Sequence, residues 1–119
     1  DMGLSCFTGS SHLLQPALTM GACGCVDGPP CVAPEPWVEL WNAAQEGDSA
    51  RAEEARIRSY EIIDLCTMFG SPKFHAVCKA AVGLRLGLDT GNPRRPALPL
   101  TDDERRQVKD RLHSLGLMS

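Results

Sequence analysis

Basic clusters, aromatic residues and long apolar runs are what this 119-residue sequence has least of. It holds one Tyr, three Phe and two Trp, and its 12 Lys plus Arg stand against 15 Asp plus Glu for a formal net charge of -3. Neutralising nucleic-acid phosphates takes clustered Lys and Arg, and no basic block is present, which argues against a nucleic-acid partner. No apolar run approaches membrane-spanning length. From Asp1 onward there is no basic start followed by an apolar stretch, so no signal peptide is expected. Only three lysines occur, Lys73, Lys79 and Lys109. Cysteine is not scarce: Cys6, Cys23, Cys25, Cys31, Cys66 and Cys78 make an even set. They lack the loop-rich, cysteine-dense setting of a disulfide scaffold, so reduced thiols in a cytoplasmic protein are expected.

What is present reads as β, α, β and then helices. Leu4 to Thr8 is a short strand ending at Gly9, and Ser10 or Ser11 can cap the helix that follows, from His12 to Met20. Pro16 is early enough in that helix to be tolerated, and Gly21 ends it. Cys23 to Asp27 is a second strand, broken by Gly28-Pro29-Pro30. A strand, a helix and a strand in so few residues imply a right-handed crossover between parallel neighbours.

The helical part begins at Pro34 and runs to Gln45, with Trp37, Val38, Leu40, Trp41 and Ala44 near helical spacing. Asp48 caps a helix reaching Phe69, whose apolar stripe is Ala52, Ala55, Ser59, Ile62, Ile63, Cys66 and Phe69. Pro72 opens another helix, to Leu86, with Phe74, Val77, Cys78, Ala81 and Leu84 inward. A proline-rich connection from Leu88 to Leu100 precedes the capping box Thr101-Asp-Asp-Glu104, which starts a last helix burying Val108, Leu112 and Leu115. Two parallel strands make an unlikely complete fold, because parallel sheets have more strands and are covered on both faces. Further strands are expected upstream of Asp1.

An ordered set of residues carries a family resemblance. It comprises Phe7-Thr-Gly-Ser-Ser11, Leu13-Leu14, Pro16-Ala-Leu18, Gly21-Ala22, Gly24, Gly28, Val32-Ala-Pro34, Trp37, Glu39-Leu40, Ala43-Ala44 and Gly47-Asp48. Lys79-Ala-Ala81, Gly87, Arg94, Pro96 and Pro99-Leu100 continue it. In these residues the chain resembles the C-terminal part of the dihydrodipicolinate synthase / N-acetylneuraminate lyase family of class I pyruvate-dependent aldolases. The resemblance implies an α/β fold, the C-terminal portion of a (β/α)8 barrel with a C-terminal helical extension. Residues 1–47 would be the last two β/α units, with Leu4–Thr8 the seventh strand and Cys23–Asp27 the eighth, and residues 48–119 the extension. Such barrels typically need about 250 residues.

By the same resemblance the parent protein would make or break carbon–carbon bonds through a Schiff base between a lysine and pyruvate or a related 2-oxo acid. The lysine belongs to the sixth strand and a proton-shuttling tyrosine to the fifth, so no catalytic residue is expected in this chain, which would be inactive alone. No cofactor and no metal are implied. The partners implied are a small 2-oxo acid, the rest of the barrel and further copies of the parent in a dimer or tetramer, with no membrane.

Barrel chemistry sits at the C-terminal ends of strands. The candidate substrate-binding residues are therefore Gly9, Ser10 and Ser11 after the first strand, and Val26 and Asp27 at the end of the second. In sugar-acid members the first of these turns contacts the hydroxyl-bearing part of the substrate. Each candidate has a plainer reading. Ser10 or Ser11 can simply cap a helix. Asp27, where the family commonly has a small residue, either hydrogen-bonds a substrate hydroxyl or ties down its own loop. His12 can act as an acid or base near neutrality but reads better as a helix-start residue. Lys73, Lys79 and Lys109 lie on predicted helices, not strand ends, and Tyr60 is mid-helix, where packing is expected. Cys31 stands where the family often has Asn, and Arg94 belongs to a structural Arg-x-Pro element.

Two other functions compete. A stand-alone helical interaction module would melt cooperatively as a monomer. A Cys-based metal or redox protein would use Cys23, Cys25 and Cys31. Their spacing is not that of paired zinc knuckles, and small buried thiols are the expected reading.

Overall fold

The computed structural model describes residues 3–119. Two short strands, β1 (Phe7–Thr8) and β2 (Gly24–Cys25), pair in parallel with Phe7 opposite Gly24 and Thr8 opposite Cys25. Between them one 3-10 turn, Ser11–Leu13, runs into α1 (Leu14–Thr19). The chain thus forms the expected βαβ unit, with strands shorter than the sequence suggested.

Gly28-Pro29-Pro30 does more than break the strand. Pro29–Val32 is a one-turn helix, α2, in which the prolines occupy first-turn positions whose N–H groups would have no partner in any case. Next come α3 (Glu35–Glu46) and α4 (Ser49–Thr67). Gly47, at φ 72°, supplies the left-handed residue that ends α3. Asp48 caps α4 by accepting from Arg51 N at 3.0 Å. Helix α5 (Phe74–Leu86) follows a 3-10 turn at Ser71–Lys73, and α6 (Asp102–Ser114) starts at the capping box, with Thr101 and Glu104 each accepting from the other's backbone N–H.

One hydrophobic core runs through the whole assembly. It takes Leu14 from α1, Trp37, Leu40 and Ala43 from α3, Ile62, Leu65 and Cys66 from α4, Val77 and Ala81 from α5, and Val108 and Leu112 from α6. The stripe expected on α4 is largely the buried one, but Ile63 and Phe69 are only half-buried while Leu65 is fully enclosed. Val38 and Trp41, placed on the apolar face of α3 by their spacing, are exposed. Among the described residues no helix is long and apolar enough to cross a membrane.

All six cysteines are free. Cys66 and Cys78 are buried between α4 and α5, and Cys25 is half-buried against the core. Cys23 and Cys31 are exposed, against the expectation of buried thiols. The physical reason is position. Cys23 precedes the paired segment of β2, where α3 engages only its carbonyl, and Cys31 lies on the outer side of the one-turn helix α2.

Candidate functional site

The parallel pairing of β1 and β2 puts the two chain segments that leave their C-terminal ends side by side. One is Gly9–Ser11 and the other Val26–Gly28. Alternation along β2 points Cys25 toward the helices and Val26 away from them, where it is 74% exposed. Phe7 is 58% exposed on that same outer side, and its ring lies 3.2 Å from where a Cβ on Gly24 would stand.

Asp27 joins the two segments. Its Oδ2 accepts from Ser11 N at 2.8 Å, across 16 residues of sequence, and its Oδ1 accepts from Gly28 N at 2.7 Å. Burial alone would raise the Asp27 pKa. The two backbone donations and the nearby His12 outweigh it and hold the carboxyl below the usual carboxylate range. The Ser11 hydroxyl pulls in the same direction, although it makes no hydrogen bond of ordinary geometry among the described residues and is itself buried. Near neutrality Asp27 is therefore an anionic acceptor.

The loop after β1 is held from three further sides. Thr8 Oγ1 accepts from Ser10 N at 3.2 Å, closing a local turn. The buried indole of Trp37 in α3 donates from Nε1 to Ser11 O at 3.0 Å. Tyr60 in α4 donates to His12 O at 3.4 Å, with the Arg56 guanidinium 4.9 Å from its ring centre. The second α3 indole, Trp41, donates to Cys23 O at 3.2 Å, so one helix holds both the segment after β1 and the residue before β2. Beneath β2, the Phe74 ring of α5 lies 3.0 Å from the position of a Cβ on Gly28, and Cys78 Sγ is 3.5 Å from it. A Cβ at position 28 would press on the ring, so glycine gives the closer approach here.

The structure thus brings Gly9, Ser10, Ser11, Val26 and Asp27 to one end of the β1–β2 pair. Of the two expected uses of Asp27, the loop-tying one is what its hydrogen bonds perform. Ser11 uses its backbone N–H and carbonyl as anchor points, and its side chain is 2% exposed. The roles of Trp37, Tyr60 and Phe74 at this end were not foreseen from the sequence. A signal existed for Trp37, because a buried indole N–H requires an acceptor. None existed for Tyr60 or Phe74, whose partners depend on how α4 and α5 cross the loops.

The lysines lie elsewhere. Lys73 pairs with Glu104, at 2.6 Å from Oε2, tying the start of α5 to the start of α6. Lys79 is half-buried on α5, and Lys109 is exposed on α6. Among the described residues no group of three or more His, Cys, Asp or Glu is arranged to hold a metal ion.

Comparison with known proteins agrees with this geometry. The Dihydrodipicolinate synthetase family matches residues 1–115. A DapA-like lyase of Halobacterium salinarum is 38% identical over 115 residues, which is 97% of this chain and 36% of that protein. A 4-hydroxy-tetrahydrodipicolinate synthase of Archaeoglobus fulgidus is 32% identical over 94% of this chain and 37% of its own length. A 2-keto-3-deoxygluconate aldolase variant of Sulfolobus solfataricus superposes with a TM-score of 0.78 at 26% identity, over 92% of this chain and 36% of that one. An E. coli K12 prophage protein of the dihydrodipicolinic acid synthase family, solved with pyruvate, gives the same TM-score and identity over 95% and 37%. The chain spans about a third of the length of these relatives. Its two parallel strands and flanking helices are part of a (β/α)8 barrel with a helical extension. The chain belongs to the dihydrodipicolinate synthetase family.

Proposed function

We propose that this chain supplies the last two β/α units and the C-terminal helices of a lyase or aldolase that forms a Schiff base with pyruvate or a related 2-oxo acid. The supporting observation is the pair of loops held together at the C-terminal end of parallel strands, the face on which barrel enzymes place their chemistry. In such chemistry a lysine amine attacks the ketone and the resulting iminium draws electrons from the bond that breaks or forms. The strand-end residues of this chain offer no amine. Gly9, Ser10, Ser11, Val26 and Asp27 would shape and line the site, and the nucleophile would come from another strand. The relatives include one solved with pyruvate and one acting on 2-keto-3-deoxygluconate, which supports a 2-oxo acid as the substrate class.

Borohydride reduction in the presence of labelled pyruvate tests this reading. The isolated chain should gain no label. The full-length protein should be labelled on one lysine outside these 119 residues. Label on Lys73, Lys79 or Lys109, or none on the full-length protein, would overturn the assignment.

A further inference from the structure

We propose that Asp27 is a positioning residue, a carboxylate spacer that sets where the loop after β1 stands relative to the end of β2. The proposal rests on the function given above for what that loop touches, but its structural part stands without it.

Asp27 Oδ1 is engaged by Gly28 N at 2.7 Å and Oδ2 by Ser11 N at 2.8 Å. Both contacts are charge-assisted, a class roughly twice as strong as neutral hydrogen bonds. Each oxygen thus holds a backbone donor on a different loop, so the carboxylate bridges the two segments whatever else it accepts.

Beneath the spacer, Gly28 faces the Phe74 ring of α5, which would lie 3.0 Å from a Cβ at that position and so limits movement of the Asp27–Gly28 turn toward the helices. At the other end Ser11 is buried, and the Trp37 indole holds its carbonyl. A continuous series of contacts therefore runs from Phe74 through Gly28 and the Asp27 carboxylate to Ser11. The peptide N–H of Ser11 follows directly on Ser10, so the carboxylate also steadies Gly9 and Ser10 at the C-terminal end of β1, the end on which the proposed chemistry would lie. Asp27 governs how tightly that loop holds the part of the substrate remote from the ketone, while the bond-forming carbonyl chemistry lies on other strands.

Two variants and two readouts decide this. In the full-length protein, amide hydrogen exchange at Ser11 should accelerate by about tenfold or more in Asp27→Ala, as expected for losing a hydrogen bond to a charged group. Asp27→Asn keeps the shape and one acceptor oxygen, so it should fall between the wild type and Asp27→Ala. In the full-length protein, Asp27→Asn should raise KM for the substrate that is cleaved, by about tenfold on the same basis. Its kcat should change much less, and borohydride trapping with pyruvate alone should persist. Unchanged Ser11 exchange in Asp27→Ala would overturn the spacer role. Loss of pyruvate trapping in Asp27→Asn would also overturn it, by placing Asp27 in the chemistry. If the wild-type protein itself fails to trap pyruvate, the proposed reaction falls, and the exchange result still decides whether Asp27 holds the loop.

Discussion

Six thiols of one residue type occupy three environments in this chain, and each environment has a chemical consequence. Cys6, Cys23 and Cys31 are exposed. Cys25 is half-buried, and burial together with the nearby Asp27 charge pushes its thiol up. Cys66 is enclosed between α4 and α5, where the neighbouring Cys78 thiol and burial push it up further. The Cys78 thiol is pushed down by its hydrogen bond with Cys66, but it is enclosed with it, so access sets the order of alkylation in the folded state. Cys6, Cys23 and Cys31 should react first, Cys25 more slowly, and Cys66 and Cys78 only after denaturant is added. Mass spectrometry after timed exposure to iodoacetamide checks this, and early labelling of Cys66 would show that the α4–α5 interface opens. At this scale the sequence was partly legible. Helical spacing placed Cys66 and Cys78 inward correctly. Alternation placed Cys25 toward the core, but it could not show that Cys23 lies just before the ladder begins. For Asp27 the sequence left two uses open. The bond to Gly28 N ties the loop that follows, and the bond to Ser11 N is a further one, a contact between residues 16 apart that has no periodic signature.

The helices were the most legible elements, because 3.6-residue spacing, caps and terminal glycines all mark them locally. Thr101 and Glu104 form the capping box that their spacing announces, and Asp48 caps α4 as expected. The loop after α5 was not legible. Leu88 N donates back to Gly83 O at 2.9 Å, and Thr90 Oγ1 donates to Lys79 O at 2.8 Å, so residues 88–90 fold onto the helix they have just left. A Cβ on Gly83 would stand 2.7 Å from Leu88 O and 3.0 Å from Thr90 Oγ1. Two effects oppose each other in Gly83→Ala. Helix propensity favours alanine by about 1 kcal/mol. The collision is with a backbone carbonyl that a side-chain rotation cannot relieve, and overpacking of this kind costs about 1–3 kcal/mol. The steric effect should win, so Gly83→Ala is expected to destabilise the chain by about 1 kcal/mol net. Urea denaturation checks the sign, and a more stable variant would mean that the loop lifts off α5 freely.

At the scale of the whole molecule the helices share one core, while the strand pair keeps an open face and open edges. Leu4, Phe7 and Val26 are exposed on and beside the β1–β2 pair, and a parallel pair of strands offers unpaired backbone groups on its outer edges. Parallel strands are stable when both faces are covered. Here one face meets α1 and α3, while the other carries Phe7 and Val26 outward. In a (β/α)8 barrel that second face looks inward onto the other strands, and the edges pair with strands on either side. The chain alone should therefore self-associate through this surface. Its apparent mass in sedimentation should rise above 12.9 kDa with concentration, and a dye sensitive to apolar surface should bind it. Val26→Lys places a charge at the exposed end of β2 and should weaken the association while leaving the helical core intact, because Val26 makes no part of that core. A chain that sediments at 12.9 kDa at every concentration and melts cooperatively would instead support the stand-alone helical module. The two outcomes are read separately, because the core that would melt cooperatively lies among α3, α4, α5 and α6, and the outward-facing Phe7 and Val26 are no part of it.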